Sequence, residues 1–206
     1  MTNPIHIAMA NTGMAAESLA QLAEVSVEEM AEPSPDTLRR IATTLGMSIK
    51  ELVSGKIPPG QGMYRTWLDE PAALRELSMD GTARKVGGFL QDLRLVQRLD
   101  KELGDALPGI PDWAVPTQPT DARDHGAPEL AMVVRQELGL GVEPIESVWR
   151  VAQRLGVHCA QVTPDDLPQH LDGVSWRDSS ALVANAVGSW WRTRVTVCHE
   201  LAHILF

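Results

Sequence analysis

Apolar residues recur along this chain with a helical period in most places and a strand period in one. Near the N-terminus Leu19, Leu22 and Ala23 share one helix face and Leu38, Ile41, Ala42 and Leu45 another. Ser34 before Pro35 marks a helix start, because proline at the first helical position lacks only an N–H that has no partner there, and Gly46 marks a stop. The spacing predicts a small helical bundle over residues 1–55. Residues 56–124 read as a connector. Ile57 to Gly62 is a linker by its proline and glycine content, and Pro108, Pro111, Pro116 and Pro119 make Leu107 to Asp124 extended. Between them Val86, Phe89, Leu90, Leu93, Val96, Leu99 and Leu103 predict one long helix over Thr82–Leu103, with an apolar face that can pack on a neighbouring domain or on a second copy of the chain.

The pattern changes in residues 125–206. Helical spacing over Pro128–Leu138 and Glu143–Leu155, stopped by Gly139 and Gly156, gives way to three short strand-like runs, Val157–Val162, Leu171–Trp176 and Ser180–Ala186. Arg177-Asp178-Ser179 is the expected turn between the last two. A final helix carries Trp191, Val195, Cys198, Ala202 and Leu205 as its expected buried stripe. The fold class predicted is α+β, a small helical bundle followed by a domain of helices on a short sheet.

That final helix contains the chemistry. His199-Glu200-Leu201-Ala202-His203 is an HExxH sequence. On an α-helix, residues four apart differ by only about 40° in direction, so His199 and His203 can ligate one metal ion. Zinc held by neutral imidazoles lowers the pKa of a water toward ~7, and Glu200 is placed to take the proton as that water attacks a peptide carbonyl. A core helix with merely hydrogen-bonded histidines is the plain alternative, and it leaves a glutamate and two histidines beside an apolar stripe to be explained.

Composition narrows the setting. The chain has 206 residues, a formal net charge of −9 and 44% hydrophobic content, enough for one medium or two small cores. No Lys or Arg precedes Arg39 and no long apolar run exists, so neither a secretory signal nor a membrane span is expected, and the expected compartment is the cytoplasm. Cys159 and Cys198, far apart in sequence, are expected as reduced core thiols rather than a disulfide.

The stretch from Glu129 to Phe206 resembles the ImmA/IrrE family of metallopeptidase domains. The resemblance rests on Arg135-Gln136-Glu137-Leu138-Gly139-Leu140, Glu143-Pro144-Ile145-Glu146-Ser147-Val148, Arg154-Leu155-Gly156-Val157, Asp172-Gly173-Val174-Ser175, Ala181-Leu182-Val183-Ala184-Asn185 and Arg194 to His203. It implies a zincin-like domain with His199 and His203 as zinc ligands and Glu200 as the catalytic base, acting on a repressor or other regulatory protein. A sheet edge beside the metal would hold an extended substrate by strand addition. Residues Gly13 to Ser26 and Pro33 to Leu52 resemble a helix-turn-helix domain of the Cro/C1 (XRE) repressor type, which implies DNA binding and transcriptional control. Against that, only Val27-Glu28-Glu29-Met30-Ala31-Glu32 stands where the family has its recognition helix, with no Arg, Lys, Asn or Gln to read a base edge. Over residues 1–55, Arg39, Arg40 and Lys50 face seven acidic residues, a balance that opposes phosphate binding. No DNA-contacting residue is singled out.

The resemblance implies a carboxylate third ligand after HExxH, but only Ile204, Leu205 and Phe206 follow His203, so this is expected to be a peptidase shortened just after its motif. Two imidazoles alone would bind zinc weakly or not at all. Asp172, Asp178, His158 and His170 are alternative ligands among which the sequence does not choose, and Phe206 would leave a helix end uncapped. Two functions stand. One is a zinc metalloendopeptidase that cleaves a regulatory protein. The other is a catalytically incomplete regulator acting by DNA or protein binding.

Overall fold

The computed structural model describes residues 3–56, 77, 81–114, 127–167, 171–186 and 188–205. Residues 57–76, 78–80 and 115–124 of the connector, and with them the expected linker at 57–62, lie outside these residues, as do His170 and Phe206. The fold is α+β: nine α-helices and a three-stranded sheet among the described residues. Contacts divide the chain into two units, Met1–Leu95 with Asp165–Pro168 and Val96–Pro164 with Gln169–Phe206.

The first unit opens with five helices, α1 (Pro4–Thr12), α2 (Ala16–Ala23), α3 (Val27–Ala31), α4 (Pro35–Thr44) and α5 (Ile49–Ser54). Their ends follow the sequence signals. Ser34 caps α4 by accepting the Thr37 N–H at 3.1 Å, with Pro35 opening the first turn. Gly46 closes it at φ 63°, and the Met47 N–H reaches back to the Ala42 carbonyl at 2.9 Å. Ile5, Leu19, Leu22, Ile41, Leu45, Met47 and Leu52 are fully buried together. Helix α3 is only five residues long, fixed by a reciprocal cap between Ser26 and Glu29, and exposes Val27, Glu28 and Glu29.

Helix α6 spans Thr82–Leu103, as the periodicity predicts, and its first half completes this bundle. Ala83 is buried in the same core. Gly87 lies so close to α4 that a Cβ there would meet the Thr43 carbonyl oxygen at 1.9 Å and the Thr44 carbonyl oxygen at 2.7 Å. Arg94 donates to the Gly46 carbonyl at 2.8 Å, and Gln91 to that of Met47. The apolar face of α6 stops packing sooner than its spacing predicts. Val86, Leu90 and Leu93 are buried, but Val96, Leu99 and Leu103 are exposed.

In the second unit, α7 (Ala127–Glu137) packs on a short 3₁₀ turn at Asp112–Ala114, and α8 (Val148–Arg154) precedes β1 (His158–Val162), β2 (Gly173–Trp176), β3 (Ala181–Asn185) and α9 (Trp190–Leu205). The expected helix from Glu143 begins only at Val148. Ser147 caps it, accepting the Arg150 N–H at 3.3 Å, while the Ile145 and Glu146 carbonyls accept from the Arg194 guanidinium of α9 at 2.6 and 2.8 Å. Those carbonyls serve α9 instead of extending α8. Gly156 ends α8 at φ 78°, where a Cβ would also meet the Pro108 carbonyl oxygen at 2.1 Å.

Strand β3 is central, parallel to β1 and antiparallel to β2. The loop between β2 and β3 is the expected one, with Arg177–Ser179 as a 3₁₀ turn and Ser180 left-handed at φ 45°. All five β3 residues are buried. Leu182 and Ala184 join Val197, Leu201, Ile204 and Leu205 of α9 and Val151, Ala152 and Leu155 of α8 in one core.

Gly87 and Gly88 form an internal control for the α4–α6 contact, since a Cβ on Gly88 meets nothing within 4 Å. Gly88→Ala should raise the unfolding free energy by about 0.5–1 kcal/mol through helix propensity. Gly87→Ala should lower it by about 1–3 kcal/mol or more through overpacking against backbone. Urea titrations followed by circular dichroism measure both, and equal effects would refute the close packing.

Candidate metal centre

Helix α9 contains neither glycine nor proline, and it starts where the Ser189 carbonyl accepts the Arg192 and Thr193 N–H groups at 3.0 and 3.4 Å. Its buried face is Thr193, Thr196, Val197, Glu200, Leu201, Ile204 and Leu205. This corrects the stripe expected from periodicity. Trp191 and Val195 are 59% and 60% exposed, Cys198 is exposed, Ala202 is half-buried, and Leu205 alone of that stripe lies inside. The helix is apolar on more than one face, so spacing could not choose between them. The sheet does, because β3 must be covered by Val197, Leu201 and Ile204.

That rotation sets the HExxH side chains. His199 and His203 are both exposed, with Nε2 atoms 2.9 Å apart, ring centroids 4.6 Å apart and ring planes at 86°. Two imidazole nitrogens on a tetrahedral zinc at 2.0–2.1 Å would be about 3.3 Å apart. The pair therefore converges on one point with a separation a few tenths of an ångström short of that spacing. At this distance the two nitrogens share an N–H···N hydrogen bond whose donor depends on the tautomer, and a cation would take the place of the shared proton. The donor set fits zinc as two of its ligands.

Glu200 points inward and is 8% exposed. It packs against the first residue of β2, where a Cβ on Gly173 would lie 2.9 Å from Glu200 Cγ and 2.7 Å from Thr196 Cγ2. Gly173 pairs with Ala184, so a row of small residues lets α9 approach the sheet closely. Glu200, His199, Thr196 and Gly173 line a cleft of about 500 Å³, with Trp191, Val195 and the Asp172–Arg192 pair as its other described lining residues. Arg192 Nη2 lies 2.8 and 3.0 Å from the two Asp172 carboxylate oxygens.

Of the alternative ligands, Asp172 is brought to the cleft of His199 and Glu200, where Arg192 holds it. Asp178 lies in the turn after β2. His158 opens β1, 3.8 Å from Asp100 of α6; burial pushes its pKa down and the Asp100 charge opposes that shift. No cluster of three or more His, Cys, Asp or Glu able to hold a metal is found among the described residues.

No protein-family model, curated protein or solved structure matches this chain. Among the described residues no helix is long and apolar enough to cross a membrane.

Sequence reasoning missed Gly173 as the residue that seats Glu200, although a glycine opening a strand is the ordinary mark of a close approach. It missed the Arg192–Asp172 pair, which has no signature in spacing. Both cysteines are free. Cys198 is not the core residue expected, whereas Cys159 is half-buried and its thiol is pushed up to about 12 by burial. Burial raises the Cys198 thiol too, and the Arg194 charge offsets this in part.

Two outcomes follow from this packing. Gly173→Ala should cost about 1–3 kcal/mol in unfolding free energy, because the new methyl must displace Glu200 or Thr196; an unchanged denaturation midpoint would mean α9 does not sit this close. In iodoacetamide labelling read by peptide mass spectrometry, Cys198 should be modified at least about tenfold faster than Cys159 at pH 8. The reverse order would contradict the burial of β1.

Proposed function

We propose that this chain is a zinc metalloendopeptidase-type regulator of the ImmA/IrrE kind, acting in the cytoplasm on a repressor or other regulatory protein, with the helix-turn-helix-like bundle of its first unit serving to target it. The observation that carries this reading is the 2.9 Å convergence of His199 and His203 beside the cleft lined by Glu200. Zinc would be held there by the two Nε2 atoms and would supply Lewis acidity toward the carbonyl under attack.

The chain's own groups account for the rest of the reaction. The Glu200 carboxylate accepts one proton from the attacking water and returns it to the leaving amine nitrogen as the C–N bond breaks, and the water's second proton follows from the new carboxylic acid to the amine, leaving a carboxylate and an ammonium group. The packing of its Cγ against Gly173 restricts the side-chain conformations open to it. Strand β2 is an edge of the sheet as described. The Asn185 N–H donates to the Asp172 carbonyl at 2.7 Å, so by antiparallel alternation Gly173 and Ser175 turn their N–H and C=O groups away from β3. These groups suit strand addition by an extended substrate segment. Exposed Trp191 and Val195 beside His199 offer an apolar substrate side chain a surface to cover. Recruiting Asp172 as a further metal ligand would require breaking its ion pair with Arg192.

Zinc content after dialysis and cleavage of a candidate repressor test the reading together. With zinc present in the dialysis buffer, wild type and Glu200→Gln should bind it alike, more weakly than a site with three protein ligands does, and His199→Ala should not bind it. Hydrolysis should fall by about 10²–10⁴-fold in Glu200→Gln and disappear with a chelator. A wild-type chain that holds no zinc, or cleavage that survives Glu200→Gln, overturns the proposal in favour of a regulator that only binds.

A further inference from the structure

The first unit contains a second cleft, of about 460 Å³, lined by Arg39, Arg40 and Thr43 of α4 and by Gly81, Arg84 and Lys85 at the start of α6. Four cations from two distant stretches of sequence meet there. Two carboxylates hold three of them. Asp36 accepts from Arg39 and, at 2.9 Å, from Arg40 Nε; Glu24 pairs with Arg84; the Glu24 carbonyl accepts from Arg40 Nη1 at 3.1 Å. Among the described residues, four cations against two carboxylates leave a net charge of about +2 here, in a chain whose formal charge is −9. The positive end of the 22-residue helix α6 adds to that field.

We propose that this cleft binds the phosphate backbone of a nucleic-acid duplex without reading its bases. Arg39 is 68% exposed in its side chain and Lys85 is exposed, so screened contacts to one free phosphate contribute little. A polyanion that presents several phosphates at once engages the whole group and releases counterions. The planar guanidinium groups of Arg39, Arg40 and Arg84 suit phosphate oxygens. None of the described lining residues is aromatic, so none of them gives unpaired bases a platform for stacking, and this favours a duplex over a single strand. None of its described lining residues belongs to the acidic, five-residue α3 or to the candidate metal centre.

Fluorescence anisotropy of the full chain with a labelled mixed-sequence duplex tests this. Binding should be measurable at 50 mM salt and fall by about 10- to 150-fold at 200 mM, the range for two to four neutralised phosphates. The Arg39→Gln/Lys85→Gln double variant should lose at least about tenfold in affinity and flatten the salt slope by about 2, while Lys50→Gln, outside the cleft on α5, should behave as wild type. If the double variant does not fold by circular dichroism, Arg39→Gln alone serves, with half the change in slope expected. No binding at 50 mM, tighter binding to single strands, indifference to the cleft substitutions, or an equal loss in Lys50→Gln would each overturn the proposal. So would a cleft that responds to inorganic phosphate in amide resonances of Gly81 and Lys85 yet ignores the duplex, since that marks a small-anion site. Loss or retention of peptide hydrolysis has no bearing on any of these readings.

Discussion

All five residues of β3, Ala181 to Asn185, are buried, with β1 on one side of the strand and β2 on the other. A strand with no solvent-facing position needs apolar cover, and on the side of Leu182 and Ala184 that cover comes from Val197, Leu201, Ile204 and Leu205 of α9. This requirement fixes the rotation of α9 about its own axis. Glu200 falls on the covered side and His199 and His203 on the open side, although the three belong to one short motif. The division suits the roles proposed for them. A proton-carrying carboxylate gains from being packed and oriented, and ligands must be reachable.

The same rotation needs two supports outside the motif. Gly173 makes room, since any Cβ there would run into Thr196 and Glu200. Arg194 ties α9 to the segment before α8 through the Ile145 and Glu146 carbonyls, and by taking those acceptors it also decides where α8 begins. Trp191 and Val195, which the cover of β3 leaves outside, are thereby delivered to the cleft beside His199.

The first unit depends on a comparable accommodation. With no side chain at Gly87, α6 lies against the α4 carbonyls of Thr43 and Thr44, and this closeness carries Arg84 and Lys85 to Arg39 and Arg40. A bundle whose first 55 residues are acidic acquires a basic cleft only through a helix outside that stretch. Electrostatic character here belongs to the packed surface, and the chain-average charge gives no sign of it.

Local signals determined much of this protein. Ser34-Pro35 and Gly46 bounded α4, the heptad-like run of apolar residues bounded α6, the three strands fell within two residues of their expected ends, and HExxH spacing alone made the convergence of His199 and His203 legible. These features depend on residues within one or two turns of each other, whose geometry the backbone dictates. Tertiary structure decided which face of α9 is buried, why Glu143 to Glu146 is not helical, that Asp172 pairs with Arg192 in the cleft, and that four cations gather between α4 and α6. Each of these is a choice between locally equivalent options, two apolar faces or several acceptors for one guanidinium, and only contacts between residues distant in sequence make the options unequal in energy.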